Sequence, residues 1–218
     1  MIKYETIRIK LRKYYIKATY KIRKKKINCD NFTIISNNCW GGFVYQSYGL
    51  KYLTPTIGCF FIADDYIRFI SDIKKYLNHN ELRFIEPTKS KWYQDIKNIS
   101  KFGEYPIGVI DDIEIHFLHY TSSEMAKEKW EERKKRINYD KIIYKFSEMN
   151  LCSEKNILDF QKLNLKNKIC FISNKYAKLK NDFTFVVNKK NGFIRASEEP
   201  VGKSKIININ NVINNLNK

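Results

Sequence analysis

The stretch of residues 107–139 constrains the fold more than any other part of the sequence. Two short apolar runs flank the pair Asp111-Asp112, a composition typical of a turn between two antiparallel strands. The second run alternates apolar and polar residues, which predicts a strand with one buried face. Thr121, followed three residues later by Glu124, matches a capping box and predicts that a helix begins there. The sequence therefore predicts a strand, a tight turn, a second strand and a helix in succession.

Short apolar segments and helical segments alternate through the rest of the chain. Outside the hairpin we predict strands at residues 31–36, 56–63, 82–85, 141–146, 168–173, 183–187 and 192–194. Between them we predict a helix that reaches residue 53 and further helices at 64–77 and 153–163. Strands joined through helices are parallel, whereas the strands of a hairpin are antiparallel. We therefore expect one α/β domain with three αβα layers and a mixed β-sheet.

The positive charge of the chain is concentrated at its N-terminus. The net charge is +18, and residues 1–28 hold 11 lysines and arginines against one glutamate, so they contribute 11 − 1 = +10 of it. Their apolar residues recur at helical spacing, namely Ile7, Leu11, Tyr15, Ala18 and Ile22. Residues 1–28 thus form a basic amphipathic segment that either binds an anionic membrane surface or remains a solvated, partly docked helix. We expect the single α/β domain to occupy residues 29–200 and an Asn-rich tail to occupy residues 201–218.

Two sequence features bear on the cellular compartment. No run approaches the ~20 apolar residues of a membrane span, and the N-terminus lacks the apolar core of a signal peptide. The five cysteines are odd in number and show no C-x-x-C spacing, which argues against a disulfide framework and against a zinc site. We therefore expect a cytoplasmic protein, peripheral at the inner face of the membrane if residues 1–28 bind lipid.

The helix predicted after Thr121 carries three candidate binding residues. Trp130, Arg133 and Arg136 follow one another at a spacing of three, so a helix brings them towards one face. Two guanidinium groups can hold a phosphate while the indole stacks on a flat ligand. The alternative is a solvated face of surface ion pairs, because Glu132 lies four residues before Arg136.

His119 and the loop after the first strand complete the candidate site. His119 follows the second hairpin strand, where a general base is useful, and we assign it the catalytic role. The loop after residues 31–36 contains Asn37, Asn38 and Trp40. Such a loop lies at the carboxyl end of a sheet, where open α/β sheets bind ligands. We expect both asparagines to orient hydroxyl groups of the ligand, and we place Trp40 with them as a binding residue.

Other motifs give no further chemistry. His116 and His119 form an H-x-x-H pair, but side chains at this spacing on a strand point to opposite faces, so we expect no metal site. Cys39 is either a nucleophile of lowered pKa near a helix N-terminus or a small, half-buried cysteine. We favour the second interpretation because no histidine is tied to Cys39 by spacing. Neither G-x-G-x-x-G nor a Walker motif is present, so the cofactor is unknown.

Four sequence blocks together resemble a known family. They are N-F-x-I-I-S-N-N-C-W-G-G at 31–42, T-P-T-I-G at 54–58, D-D-I-E-I-H-F-L-H-Y at 111–120 and K-W-x-x-R-x-x-R-I-N at 129–138. The chain resembles, from about residue 31 to residue 176, a bacterial domain family of unassigned activity labelled "exopolysaccharide biosynthesis protein". The resemblance implies a three-layer α/β fold and a role near surface-polysaccharide assembly. It brings no agreed catalytic residues.

Three functions are compatible with these observations. The first is a transferase of surface-polysaccharide biosynthesis that works at the membrane surface on a phosphate-bearing small molecule. The second is a non-catalytic accessory subunit that docks onto polysaccharide-assembly proteins. The third is a nucleic-acid-binding protein, which charge alone suggests. We rank nucleic acid last as a partner because no DNA- or RNA-reading motif is present and the basic residues lie mainly outside the predicted domain.

Overall fold

The computed structural model describes residues 11, 14–16, 18–79, 81–99, 101–187 and 194–217. Within them the strands, in chain order, are β1 (Thr33–Ser36), β2 (Arg83–Ile85), β3 (Ile107–Ile110), β4 (Ile113–His116), β5 (Ile142–Ser147), β6 (Lys168–Ile172) and β7 (Thr184–Val186). The main helices are α1 (Trp40–Tyr48), α2 (Ala63–Ser71), α3 (Tyr93–Ile96), α4 (Ser123–Lys134), α5 (Glu154–Lys162) and α6 (Ile209–Asn215). Residues 18–24 are helical as well.

Four strands form a parallel sheet in the order β1-β5-β6-β7. Successive side chains of its strands point to opposite faces, and helices cover both faces. Ile34 and Ile143, which lie opposite each other in β1 and β5, pack in a core with residues of α1 and α6. Ile35 and Tyr144, the next pair, pack in the other core with residues of α2, α4 and α5. The α/β fold with three αβα layers is therefore confirmed.

The hairpin belongs to a second, antiparallel sheet in the order β2-β3-β4. Asp111 adopts a left-handed conformation, with φ of 53°, in the turn between β3 and β4. Parallel and antiparallel strands are both present, as predicted, and they lie in two separate sheets. The edge of β4 makes a single bridge, from His116 to Phe60, with the segment that leads into α2. Because that segment occupies the edge, the parallel strands do not pair with β4.

Both faces of β4 are buried, although its sequence alternates between apolar and polar residues. The Glu114 carboxylate accepts hydrogen bonds from Ser90 Oγ at 2.6 Å and from the Lys91 backbone N–H at 2.7 Å. The His116 ring stacks on Phe60 with centroids 4.5 Å apart. The segment around Ser90 and the ring of Phe60 thus cover the polar face, which the alternating pattern alone did not predict.

Two helix starts and one predicted strand can be compared directly with the sequence. Helix α5 begins with a capping box formed by Ser153 and Asn156, in agreement with the predicted helix at 153–163. Helix α4 is capped by Ser122, which accepts from the Met125 N–H, one residue after the predicted cap Thr121. The predicted strand at 56–63 is wrong. Gly58 turns the chain there with φ of +76°, which breaks the extended conformation.

The segment before β1 and helix α6 meet on the α1 side of the parallel sheet. The Asn28 N–H donates to Asn214 Oδ1 at 2.9 Å, and Asn214 Nδ2 donates to the Lys26 carbonyl at 3.1 Å. Ile209 and Ile213 of α6 are fully buried in the α1-side core. The Asn-rich tail therefore contributes apolar surface to the core. The predicted boundaries at residues 28 and 200 stay predictions, and Ile7 of the predicted apolar stripe lies outside the described residues.

Candidate functional site

Asn37 holds the carboxyl ends of β1 and β5 together. Its Nδ2 donates to the Ser147 carbonyl and its Oδ1 accepts from the Ser147 N–H, both at 3.0 Å. The Asn37 carbonyl accepts from the Phe61 N–H at 3.1 Å. The side chain is fully buried. Both ends of its amide are thus engaged with the backbone of β5, and Asn37 supports the site rather than facing a ligand.

A buried polar network lies at the same edge of the parallel sheet. Lys145 Nζ donates to Asn38 Oδ1 at 2.9 Å, to Ser147 Oγ at 2.5 Å and to Glu199 Oε2 at 2.7 Å. Ser147 Oγ in turn donates to Glu199 Oε1. An ammonium has three N–H donors, so the hydrogen-bonding capacity of Lys145 is used completely. We call Asn38, Lys145, Ser147 and Glu199 the buried network.

The charges of the buried network depend on each other. The side chains of Lys145 and Glu199 are both 0% exposed. Burial lowers the pKa of Lys145, because it disfavours the charged form, and the carboxylate of Glu199 opposes that shift. The ammonium also lies 5.5 Å from the ring centroids of Trp40 and Phe171. A cation buried at this depth is stable only while its partner remains in place.

Trp40 closes the buried network and is not available to a ligand. Its side chain is 0% exposed, its Nε1 donates to the Pro200 carbonyl at 2.7 Å, and its ring meets Phe171 edge-on. The indole therefore ties the segment that carries Glu199 and Pro200 to the start of α1. The binding role predicted for Trp40 is corrected to a packing role for this reason.

Cys39 lies between the buried network and a second group of side chains. Burial raises the pKa of its thiol to about 11, while Lys145 lowers it and Glu199 raises it. The thiol is therefore protonated near neutral pH, in spite of its position before α1. Cys39 also raises the pKa of Tyr120, which burial brings to about 12. The thiol therefore interacts electrostatically with Lys145 and Glu199 on one side and with Tyr120 on the other.

Arg133 is the centre of the second group. Its Nη1 donates to Tyr120 Oη at 2.6 Å and to the Ile57 carbonyl at 3.4 Å. Its Cζ lies 5.4 Å from the ring centroid of Tyr52. The side chain is half-buried, and it forms no ion pair with any residue that the structure describes. A partly desolvated guanidinium held by neutral partners is well suited to receive an anion.

His119 packs against the turn formed by Ile57 and Gly58, and Arg133 contacts the same turn through the Ile57 carbonyl. The His119 N–H donates to the Gly58 carbonyl at 3.1 Å. A Cβ at Gly58 would lie 3.3 Å from His119 Cβ and 3.0 Å from the Tyr120 ring, so the backbone packs closely against both residues. Partial desolvation of the ring lowers the pKa of His119, although the residue is exposed, and Lys101 lowers it further. The imidazole is therefore neutral near pH 7 and able to accept a proton.

The structure places Trp130 in the core and gives Arg136 a carboxylate partner, although Arg136 also contacts Tyr52. Trp130 is 1% exposed and packs against Phe69 and Phe117 in the core, so it has no free face for stacking on a ligand. Arg136 forms an ion pair with Glu132 and donates to the Tyr52 carbonyl at 3.4 Å. The alternative of an ion pair with Glu132 is therefore observed for Arg136, and its role as a second phosphate ligand stays a prediction.

His116 is isolated from the candidate site. Its ring lies against Phe60 and meets Tyr105 edge-on at 5.8 Å, and neither ring nitrogen has a hydrogen-bond partner in the described part of the chain. Burial lowers the pKa of His116 to about 3. Across the described ranges, no group of three or more His, Cys, Asp and Glu side chains is arranged to hold a metal ion. No helix within those ranges has the length and apolar character needed to cross a membrane.

Sequence reasoning missed the charged half of the buried network. Lys145 and Ser147 lie in the apolar run Ile142–Ser147, and a lysine inside such a run is a signal of a buried cation that needs a partner. Glu199 is 54 residues further on, and nothing in the spacing links the two. Tyr52 and Tyr120 were also missed, because their contact with Arg133 depends on the tertiary fold.

Comparison with known proteins gives a family but no activity. A family model described as "Domain of unknown function (DUF1919)" matches residues 10–216. A protein of Haemophilus influenzae described as "Uncharacterized protein" is 29% identical over 148 residues, which make up 68% of this chain and 63% of that protein. The chain thus spans less than two thirds of the length of that relative.

Proposed function

Because the chain belongs to the DUF1919 family, whose function is unknown, the site itself must carry the assignment. We propose that the protein is a transferase of surface-polysaccharide biosynthesis that uses a phosphate-bearing activated donor. The half-buried guanidinium of Arg133, which forms no ion pair among the described residues and shares the turn at Ile57 and Gly58 with the neutral His119, carries this proposal. The polysaccharide setting is supported by the four sequence blocks and their resemblance to a family with that label.

Each residue of the site has a defined role in this reaction. Arg133 binds the phosphate of the donor by charge-assisted hydrogen bonds, and Tyr120 and Tyr52 hold the guanidinium in place. His119 accepts the proton of the acceptor hydroxyl. A bond forms between the acceptor oxygen and the transferred group, and the bond between that group and the phosphate oxygen breaks. The negative charge then remains on the departing phosphate beside Arg133, where it is stabilised.

The role that we give to the buried network is to fix the carboxyl edge of the parallel sheet, next to Cys39. Asn38 belongs to it, so its amide fixes Lys145 and Glu199 instead of orienting a hydroxyl of the ligand. The carboxyl edge of a parallel sheet is where α/β folds bind ligands, and the network gives that edge a fixed shape. The residues that we expect to touch the ligand are therefore Arg133, His119 and the tyrosines around them.

Ligand binding and turnover test the proposal separately. We would measure the affinity for inorganic pyrophosphate and for a panel of nucleoside-diphosphate sugars by calorimetry and by thermal shift, in which a ligand at a hundredfold excess over its Kd stabilises by ~2.7 kcal/mol. Arg133→Gln should weaken binding at least tenfold, roughly the loss of one charge-assisted contact. Arg68→Gln, the matched control, should leave the affinity unchanged because Arg68 lies on α2 and is paired with Asp112.

The His119 variant distinguishes a transferase from an accessory subunit. His119→Asn should keep pyrophosphate binding and lose transfer of the sugar to an acceptor glycan. Binding without transfer by the wild-type protein, with every donor in the panel, would support the accessory role. Equal affinities of the Arg133→Gln and wild-type proteins would remove the basis of the proposal.

A further inference from the structure

The helical segment near the N-terminus exposes its apolar residues. Leu11, Tyr15 and Ile22 are 63%, 58% and 60% exposed, and Ala18 between them is exposed as well. They follow one another at intervals of four, three and four residues, which places them along one side of a helix. We call these four residues the outward stripe. A continuous row of exposed apolar side chains marks a surface that binds a protein, a ligand or a membrane.

The other side of this segment faces the body of the protein. Tyr20 packs on Gly49 so closely that a Cβ at Gly49 would collide with its ring. Gly49 also ends α1 in a left-handed conformation, with φ of +63°, so glycine is required there for two reasons. Arg23 lies over the Tyr15 ring at 5.0 Å. Tyr20 therefore attaches the segment to the body in an orientation that directs the outward stripe towards the surroundings.

Lysines flank the outward stripe. Lys21, Lys24 and Lys25 are exposed, and the only ion pair among them is that of Lys24 with Asp30 at 3.4 Å, judged over the part of the chain that the structure describes. Residues 1–28 as a whole carry 11 − 1 = +10 charges in the sequence. An apolar stripe bordered by lysines is suited to the boundary between lipid headgroups and acyl chains.

We propose that the outward stripe and its flanking lysines form a docking surface for an anionic lipid bilayer. The apolar side chains enter the interface while the lysines bind lipid phosphates. A nucleic acid would use the lysines but offers no apolar surface to cover Leu11 and Ile22. A second copy of the chain would place one cluster of lysines against another, and like charges repel. This inference is independent of the reaction proposed above, because it involves none of the residues at Arg133.

Vesicle sedimentation of the full chain tests the docking surface. The probes are vesicles of phosphatidylcholine mixed with phosphatidylglycerol and vesicles of phosphatidylcholine alone. We expect binding to the mixed vesicles, a fall in affinity with added salt, and weak binding to the neutral ones. The paired variant Leu11→Asn/Ile22→Asn should lose about tenfold or more of the affinity. Ile206→Asn, at an exposed apolar residue of the body (40% exposed), is the matched control and should bind as the wild type does.

The lysines are tested in the same way. Lys21→Gln/Lys25→Gln should reduce the affinity about tenfold or more, and Lys162→Gln/Lys166→Gln, an equal change of charge at exposed residues elsewhere, should have a much smaller effect. Unchanged thermal midpoints would show that the variants remain folded. Undiminished vesicle binding by Leu11→Asn/Ile22→Asn overturns the proposal. Tight, salt-sensitive binding of duplex DNA without vesicle binding, or a dimer that Ile22→Asn dissociates, would overturn it as well.

Discussion

The ammonium of Lys145 lies 2.7 Å from the carboxylate of Glu199, and neither side chain is exposed to solvent. The pair joins the middle of the parallel sheet to a segment near the end of the chain, which Trp40 also holds through the Pro200 carbonyl. Both charges lose their hydration on burial, and their mutual attraction offsets that cost. The arrangement therefore fixes the position of this segment, and removing one partner has a large effect.

Replacement of Lys145 alone should destabilise the fold strongly. Lys145→Met leaves the Glu199 carboxylate buried without a counter-charge, and we expect a loss of about 3–5 kcal/mol in the free energy of unfolding. The double variant Lys145→Met/Glu199→Gln should recover much of that loss because no charge remains buried. Lys155→Met, which breaks the exposed pair with Asp159, should change little. Urea unfolding measures all three, and similar losses in the single and double variants would contradict the expectation.

Stability should fall with acid partly because of His116. Its pKa is about 3 in the folded protein and about 6.5 when unfolded, so the unfolded state binds the extra proton between these values. The folded-state pKa is depressed, so this stabilisation is complete above pH ~6.5 and is lost as the pH falls towards ~3. The contribution is at most about 1.4 kcal/mol per pH unit.

A variant without the imidazole isolates that contribution. His116→Phe keeps an aromatic ring against Phe60, and its stability should depend less on pH in the same interval. Urea unfolding across that interval compares the two proteins. Parallel pH profiles for wild type and variant would show that His116 does not titrate in this way.

Local sequence patterns predicted the elements of the fold better than the contacts of the site. The turn at Asp111 and the helix that begins after Ser153 depend on residues a few positions apart, and both were predicted. The burial of Trp130 depends on Phe69 and Phe117, which come from other elements. Helical spacing indicates which residues lie towards one side of a helix but cannot tell whether that side meets the core or solvent.

The contacts of the candidate site also depend on residues that are far apart in the sequence. His119 and Arg133 contact the same turn because Gly58 bends the chain where the sequence predicts a strand. The partner of Arg136 was identified as an alternative because Glu132 is one helical turn away, whereas the partner of Lys145 is 54 residues away. Interactions within one element are visible in the sequence. Interactions between elements can be identified only from the three-dimensional structure.

Cys39 should react slowly with thiol reagents. Its pKa of about 11 leaves little thiolate near neutral pH, compared with a free cysteine of pKa ~8.5. We expect alkylation by iodoacetamide, followed at Cys39 by mass spectrometry, to be much slower than that of free cysteine and to accelerate as the pH rises. Cys39→Ser should retain pyrophosphate binding. Rapid alkylation at neutral pH would instead identify Cys39 as a thiolate nucleophile.

Gly58→Ala should disturb the candidate site as well as the fold. Gly58 has φ of +76°, and a Cβ there would lie 3.0 Å from the Tyr120 ring and 3.3 Å from His119 Cβ. Gly103 provides the matched control, because it has a similar φ of +87° and a Cβ there would meet nothing within 4 Å. Gly103→Ala should therefore lose only the ~1 kcal/mol of a left-handed alanine. Gly58→Ala should lose more, by about 1 kcal/mol or above, because Tyr120 must also move.

Since Tyr120 holds the Arg133 guanidinium, that movement should weaken pyrophosphate binding severalfold, whereas Gly103→Ala should leave the affinity unchanged. Urea unfolding and calorimetry on the same two variants separate the effects, and equal losses of stability with unaltered affinity would show that the turn at Gly58 does not position Arg133.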